Sequence, residues 1–269
     1  NLEGGLSGVP SGFPSVDKIT LGWQASDLII LAARPSVGKT AFVLNLARNA
    51  AVDFNMPVAI FSLEMPSIQL AKRMMVSETR LSADKIKGGV KMEMHEWVQL
   101  EEQIKRLSKA PLYIDDTPSL PVMEFRSKVK KLVKQKGVRL VVVDYLQLMQ
   151  SDRRSDNRVQ EVGDISRAMK LMAKELMVPV ICCAQLNRST EQRTTKKPMP
   201  SDLRDSGSIE QDADVILFLY RDEYYNKDTT DKGITEIIIA KQRNGPVGTV
   251  NLVWLAEYLK FTSAELPGN

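Results

Sequence analysis

The chain of 269 residues carries 37 Lys and Arg against 33 Asp and Glu, a net charge of +4, and is 43% hydrophobic. At about 100–200 residues per domain, that length allows one large globular domain or two small ones, and so slight a charge excess identifies no partner. A single histidine, His95, argues against a Ser-His-Asp triad or a multi-His zinc site. Cys182 and Cys183 are adjacent in an apolar run, so they supply neither a disulfide framework nor a C-x-x-C knuckle, which favours a reducing compartment. The longest apolar stretches, such as 176–184, fall well short of the roughly 20 residues that a membrane span needs. No membrane role is therefore expected, and no basic-then-apolar leader opens the chain. The opening NLEGGLSG reads instead as a linker, which places the end of an interdomain linker at 1–11 and a single domain at 12–269.

Short runs rich in branched residues predict strands at 28–33, 58–61, 112–114, 140–143, 178–183, 215–219, 235–240 and 249–253. Helical stripes fall between them. Phe42, Val43, Leu46 and Ala50 form the first; Trp97, Ile104 and Leu107 contribute to a second. Phe125, Val129, Leu132 and Val133 make a third, and Val162, Ile165, Met169, Met172 and Leu176 a long fourth. The alternation predicts an α/β fold, a mainly parallel central sheet flanked by helices, with hairpins adding antiparallel strands at its C-terminal edge. The 12 methionines read mostly as core filler on these stripes, and His95 as a surface or packing residue. Two segments lack periodicity: SDRRSDNR (151–158) and RSTEQRTTKKPMP (188–200). Loops of that length inside a domain are functional or disordered more often than not.

The sharpest signal is LIILAA running into Arg34-Pro35-Ser36-Val37-Gly38-Lys39-Thr40-Ala41 and then a helical pattern. Strand, tight loop and helix in that order form a P-loop, whose backbone N–H groups and helix N-terminus wrap the phosphates of ATP. Gly38 allows close approach, Lys39 reaches the β- and γ-phosphates, and Thr40 offers a hydroxyl to Mg²⁺. Ala33 stands where the motif usually has its first glycine. Asp144, emerging from the apolar run 140–143, is the matching Mg²⁺ carboxylate, although an Asp there also serves as a turn or helix-cap residue. Glu64 ends the strand after the P-loop helix and is a candidate general base for hydrolysis, or a cap for the helix that Pro66 begins. Gln185, following the run that ends in Cys183 and Ala184, is placed either to sense the γ-phosphate or to close a turn.

Taken together, FSLEM (61–65), ARPSVGKT (33–40), VVVDYLQLM (141–149), AQLNRS (184–189), DLRDSGSIEQDAD (202–214) and AKQRNGPVGTV (240–250) resemble the DnaB-type replicative DNA helicases, specifically their C-terminal ATPase domain. The resemblance implies a RecA-like fold working as a hexameric ring, with ATP between neighbouring subunits and single-stranded DNA in the central channel. It implies further that Lys241 and Arg243 reach into the next subunit's ATP site, a task suited to arginine's planar fork. On the same mapping Arg204, Asp205 and Gly207 hold DNA phosphates, Arg204 by charge and Gly207 by close approach. Asp205 stands where the family often has Glu. Arg153, Arg154 and Arg158 are weaker candidates for the same channel. Aromatics make up 6% of the chain, and these loops hold none to stack on bases, which fits contact with the DNA backbone rather than sequence readout. Primase and helicase loader are implied partners of the full-length protein, and the cytoplasm at the nucleoid its place of action. Two other readings stay open: a recombinase-like ring ATPase, and a nucleotide-gated assembly module without turnover.

Overall fold

Runs such as LIILAA and LVVVD carry apolar residues at successive positions, so both faces of each strand must be covered, the signature of a parallel sheet between helical layers. A computed structural model describes residues 5–86, 88–151, 157–187, 193–203 and 206–264. The first half of the chain contains α1 (Pro14–Thr20), β1 (Leu28–Ala33), α2 (Lys39–Arg48), β2 (Val58–Ser62), α3 (Ser67–Thr79), α4 (Ala83–Ile86), α5 (Met94–Lys109), β3 (Leu112–Asp115) and α6 (Val122–Lys136). There follow β4 (Leu140–Asp144), α7 (Arg158–Leu176), β5 (Val180–Gln185), α8 (Ser206–Asp212), β6 (Val215–Tyr220), α9 (Asp222–Tyr225), β7 (Ile234–Gln242), β8 (Gly248–Leu255) and β9 (Lys260–Ser263).

The strands form one nine-stranded sheet in the order β3-β2-β4-β5-β1-β6-β7-β8-β9. Pairings from β3 through to β6 are parallel, and those from β6 to β9 are antiparallel. The predicted sheet therefore stands, and the hairpins at its late edge are β7, β8 and β9. Strand alternation sends Ile29, Leu31, Val142 and Ile181 into a core with α2, whereas Leu28, Ile30, Val141 and Cys182 face a second core with α6 and α7. Phe42, Val43, Leu46 and Ala50 are buried, as are Phe125, Val129 and Val162 through Met172 on their stripe positions. Among the described residues no helix is long and apolar enough to cross a membrane.

Four expectations change. The fifth strand begins at Val180 rather than 178, because Val178 donates its N–H to Ala173 O and still closes the turn of α7, and Pro179 has no N–H to give. Trp97 is 55% and Ile104 39% exposed: on α5 the inward face passes through Leu100 and Leu107, a third of a turn away. The methionines divide, with Met56, Met74, Met149, Met169 and Met172 buried and Met94, Met123 and Met177 exposed. Residues 8–11 lie against the domain: Val9 is buried and bridges Trp23, and Ser11 N–H donates to Asp17 at 2.8 Å. The strand β9 has no counterpart in the sequence expectation, since KFTS is short and half polar.

Candidate active site

Parallel strands of one sheet deliver their carboxyl ends to one edge, and the register determines which side chains meet there. Ala33 pairs with Gln185 across β1 and β5, and Ser62 pairs with Asp144 across β2 and β4. The P-loop, Glu64, Asp144 and Gln185 therefore gather at a single edge. A cavity of about 440 Å³ opens there, lined by Ala33 to Ser36, Gly38 to Ala41, Glu64, Met65, Arg73, Tyr145, Gln185, Trp254 and Leu259. Val37 is buried beneath the loop in the core.

Gly38 caps α2 with φ of +115°, a conformation that L side chains rarely adopt. A Cβ there would also stand 3.3 Å from the Phe261 ring, so β9 braces the loop from behind. That bracing runs through Asn45 of α2, which accepts the Phe261 N–H at 2.8 Å and donates to Leu259 O at 3.3 Å. Phe261 packs edge-on against Phe42, with centroids 5.3 Å apart. Arg34 is buried and donates to Leu186 O at 3.0 Å, fixing the loop's start to the end of β5.

Thr40 Oγ1 donates to Asp144 Oδ2 at 2.7 Å. Asp144 is 3% exposed; its Oδ1 accepts no hydrogen bond among the described residues and lies 3.9 Å from Lys39 Nζ. The Lys39 ammonium also sits over the Tyr145 ring, 4.6 Å from its centre. A buried carboxylate oxygen without a donor, beside a hydroxyl, is the kind of hard-oxygen pair that fits Mg²⁺, which takes one or two protein ligands and fills its shell with water and phosphate. Among the described residues no three His, Cys, Asp or Glu gather into a closed metal cage.

Glu64 is exposed in the bend after β2 and makes no hydrogen bond or ion pair among the described residues. The helix-cap role open to it is filled by Asp116, which accepts the Ser67 N–H at the start of α3 at 2.7 Å. Gln185 is the last residue of β5 rather than part of a turn. The next residues turn back on themselves: Leu186 bridges Leu203, and Asn187 N–H donates to Asp202 O at 2.9 Å. The candidate phosphate sensor is thus one residue from the segment that leads to 204–207. Arg204 and Asp205 lie outside the described residues. Gly207 sits exposed in α8, where a Cβ would meet nothing within 4 Å. Arg153 and Arg154 also lie outside the described residues, and Arg158 is tied to Glu161 and to the Gln147 carbonyl.

Lys241 and Arg243 lie elsewhere. β7 runs antiparallel to β6, and its end, Gln242, pairs with Val215 at the amino end of β6. That is the edge where β1 begins, about 17 Å along the six-residue β1 from the P-loop at a rise of ~3.3 Å per residue. Neither side chain reaches its own chain's phosphate loop. Burial and the neighbouring Arg243 hold the Lys241 ammonium below its usual pKa. Cys182 and Cys183 are inert core residues; burial pushes the Cys182 thiol up to about 12 and Cys183 well above its usual value.

The sequence matches the family described as "DnaB-like helicase C terminal domain" over residues 8–263. The chain belongs to this family. A protein of Geobacillus stearothermophilus named "Replicative DNA helicase DnaB" is 54% identical over 98% of the chain, and the Bacillus subtilis "Replicative DNA helicase DnaC" is 53% identical over 98%. The chain spans 58% of the length of each of these two relatives. Among solved structures, one described as an isolated ATPase domain superposes with a TM-score of 0.93 at 43% identity, covering 98% of this chain and 94% of the other. Another, titled "The Structure Of A DnaB-Like Replicative Helicase And Its Interactions With Primase", gives the same score and identity while the match covers 64% of it. The DnaB-like sheet accounts for the cavity residues that the sequence left unassigned. Tyr145 follows Asp144 directly, Trp254 and Leu259 come with β8 and the turn into β9, and Arg73 projects from α3 without an ion pair among the described residues.

Proposed function

We propose that this domain is the ATP-hydrolysing motor of a replicative DNA helicase and works in a ring of subunits, six in the full-length protein. The observation that carries the reading is the division of ATP-site residues between two opposite edges of one sheet. The P-loop residues Arg34 to Ala41, Glu64, Asp144 and Gln185 belong to one edge and Lys241 and Arg243 to the other. A neighbour related by rotation brings its fingers to this chain's phosphates, and a heterologous contact of that kind closes into a ring.

In this reading the P-loop amides and Lys39 hold the triphosphate, and Thr40 and Asp144 hold Mg²⁺. Bound there, the ion neutralises charge on the phosphate oxygens. Glu64, free of other partners, orients and deprotonates the attacking water. Gln185 senses the γ-phosphate and passes the change through the Leu186–Leu203 bridge to the DNA segment with Arg204, Asp205 and Gly207. Arg243 and Lys241 of the neighbour meet the charge that develops during transfer. Single-stranded DNA passes through the ring, held by its phosphates. Primase and a loader engage the full-length protein, which acts in the cytoplasm at the nucleoid.

The test is ATP hydrolysis per subunit against protein concentration, with and without single-stranded DNA. Turnover that climbs with concentration, and further with DNA, is expected. Flat, DNA-independent turnover would refute the shared site.

A further inference from the structure

The tip of the β7–β8 hairpin could be a loose turn, yet here it is fastened. Arg243 N–H donates to Asp214 O at 2.8 Å, joining the hairpin to the residue just before β6. The Arg243 side chain is 51% exposed, but its Nε edge faces Asp214 Oδ1 at 3.5 Å, and Nη2 donates to Gln211 O at 3.0 Å. Nη1 has no partner among the described residues. Lys241 Nζ donates to Glu210 O, so both cations rest on the last carbonyls of α8, where the helix dipole favours positive charge.

Asp214 itself is built in rather than placed on the surface. It is 3% exposed, and its Oδ2 accepts the Leu28 N–H at 2.8 Å and the ammonium of Lys170. Lys170 is held in turn by Ser26 O at 2.8 Å. One carboxylate oxygen is therefore fully committed to the sheet, which orients the other toward the Arg243 guanidinium. Charge-assisted bonds of this kind fix direction as well as adding energy.

We infer that Asp214, with Lys170 behind it, is the positioning residue for Arg243, holding the Nε side of the guanidinium so that its free terminal nitrogen is presented to a neighbouring subunit's phosphate site. The inference rests on the proposed role of Arg243 in the neighbour's site. It assigns that role a support that the nucleotide never touches, at the foot of the helix that follows the DNA segment. A finger held this way spends less ordering on meeting the phosphate, so removing the support lowers the rate of the chemical step more than it weakens ATP binding.

The experiment uses the full-length helicase carrying this domain and measures DNA-stimulated ATP hydrolysis for Asp214→Asn, Arg243→Ala and Lys39→Ala, alone and in equal mixtures assembled from dissociated subunits. Asp214→Asn is expected to lower kcat about tenfold with KM for ATP within about twofold, the size of losing one charge-assisted contact made in the transition state. Mixed with inactive Lys39→Ala subunits it regains turnover, because roughly one interface in four of a random ring then joins a sound finger to a sound phosphate loop. A mixture no more active than Asp214→Asn alone, a wild-type kcat, or an Asp214→Asn chain that fails to fold would each assign Asp214 to its own subunit's stability and overturn the inference. Arg243→Ala is the separate control. If it hydrolyses ATP normally, or is not rescued by Lys39→Ala, the finger reading itself falls.

Discussion

Asn45 joins the helix that begins at the P-loop to the last strand of the sheet, and replacing it with Ala isolates that junction. Asn45 is 5% exposed and makes three side-chain hydrogen bonds: from the Phe261 N–H at 2.8 Å, to Ala41 O at 2.8 Å and to Leu259 O at 3.3 Å. The Phe261 N–H is buried and would be left without an acceptor, at a cost of ~1–3 kcal/mol. Ala41 O keeps its helical partner and Leu259 O is partly exposed to water, so those two losses are small. Alanine's better helix propensity returns roughly 0.5 kcal/mol. The expected destabilisation is about 2 kcal/mol, or a fall in Tm of about 4–8 °C for a domain of this size. Urea unfolding followed by circular dichroism measures it, with the midpoint shifting and the slope unchanged. ATP affinity should fall in parallel, because Phe261 is the brace behind Gly38. A destabilisation below ~0.5 kcal/mol would show that β9 does not depend on Asn45, and the reasoning would fail.

Two further outcomes follow from the same geometry. Glu64→Gln should bind ATP as wild type does and melt at the same temperature, since Glu64 is exposed and unpartnered among the described residues, yet hydrolyse it some 10²–10⁴-fold more slowly; full turnover in a single-turnover assay removes it from catalysis. Burial and the nearby Asp214 push Asp27 up to about 6. The folded chain therefore holds a proton that the unfolded chain releases near pH 4, so this group makes the protein less stable as pH rises from about 4 to 6. Asp27→Asn should raise stability by about 1 kcal/mol at pH 8, after allowance for partial exposure, with the gain vanishing by pH 4. A gain that is constant with pH in thermal melts would contradict it.

Where a functional residue ends an apolar strand, the sequence carries its position, because the length of the run sets the depth and a parallel sheet aligns the ends. Lys39, Asp144 and Gln185 are of this kind, and the register pairs Ala33 with Gln185 and Ser62 with Asp144. Arg73 is different: it lies mid-helix on α3 among charged surface residues, and only the packing of α3 over the sheet edge brings it to the cavity. Trp254 and Leu259 depend on β8 and β9 crossing back over α2, a non-local contact with no local pattern. Trp97 shows the opposite error. Its spacing from Ile104 is right for a buried stripe, but Leu100 and Leu107 satisfy the same period, and tertiary packing chose them. The location of Arg243 could be read only from the antiparallel pairing of β6 and β7.

The separation of the phosphate loop and Arg243 by the length of β1 gives each copy of the chain a head and a tail. Composite sites then number one fewer than the subunits in an open row and equal them only on closure, so completing the ring adds a whole catalytic centre with no new residue. One subunit damaged at both edges silences two centres, and two subunits damaged at different edges can still build one good centre between them. Defects in such an assembly are inherited by interfaces rather than by chains.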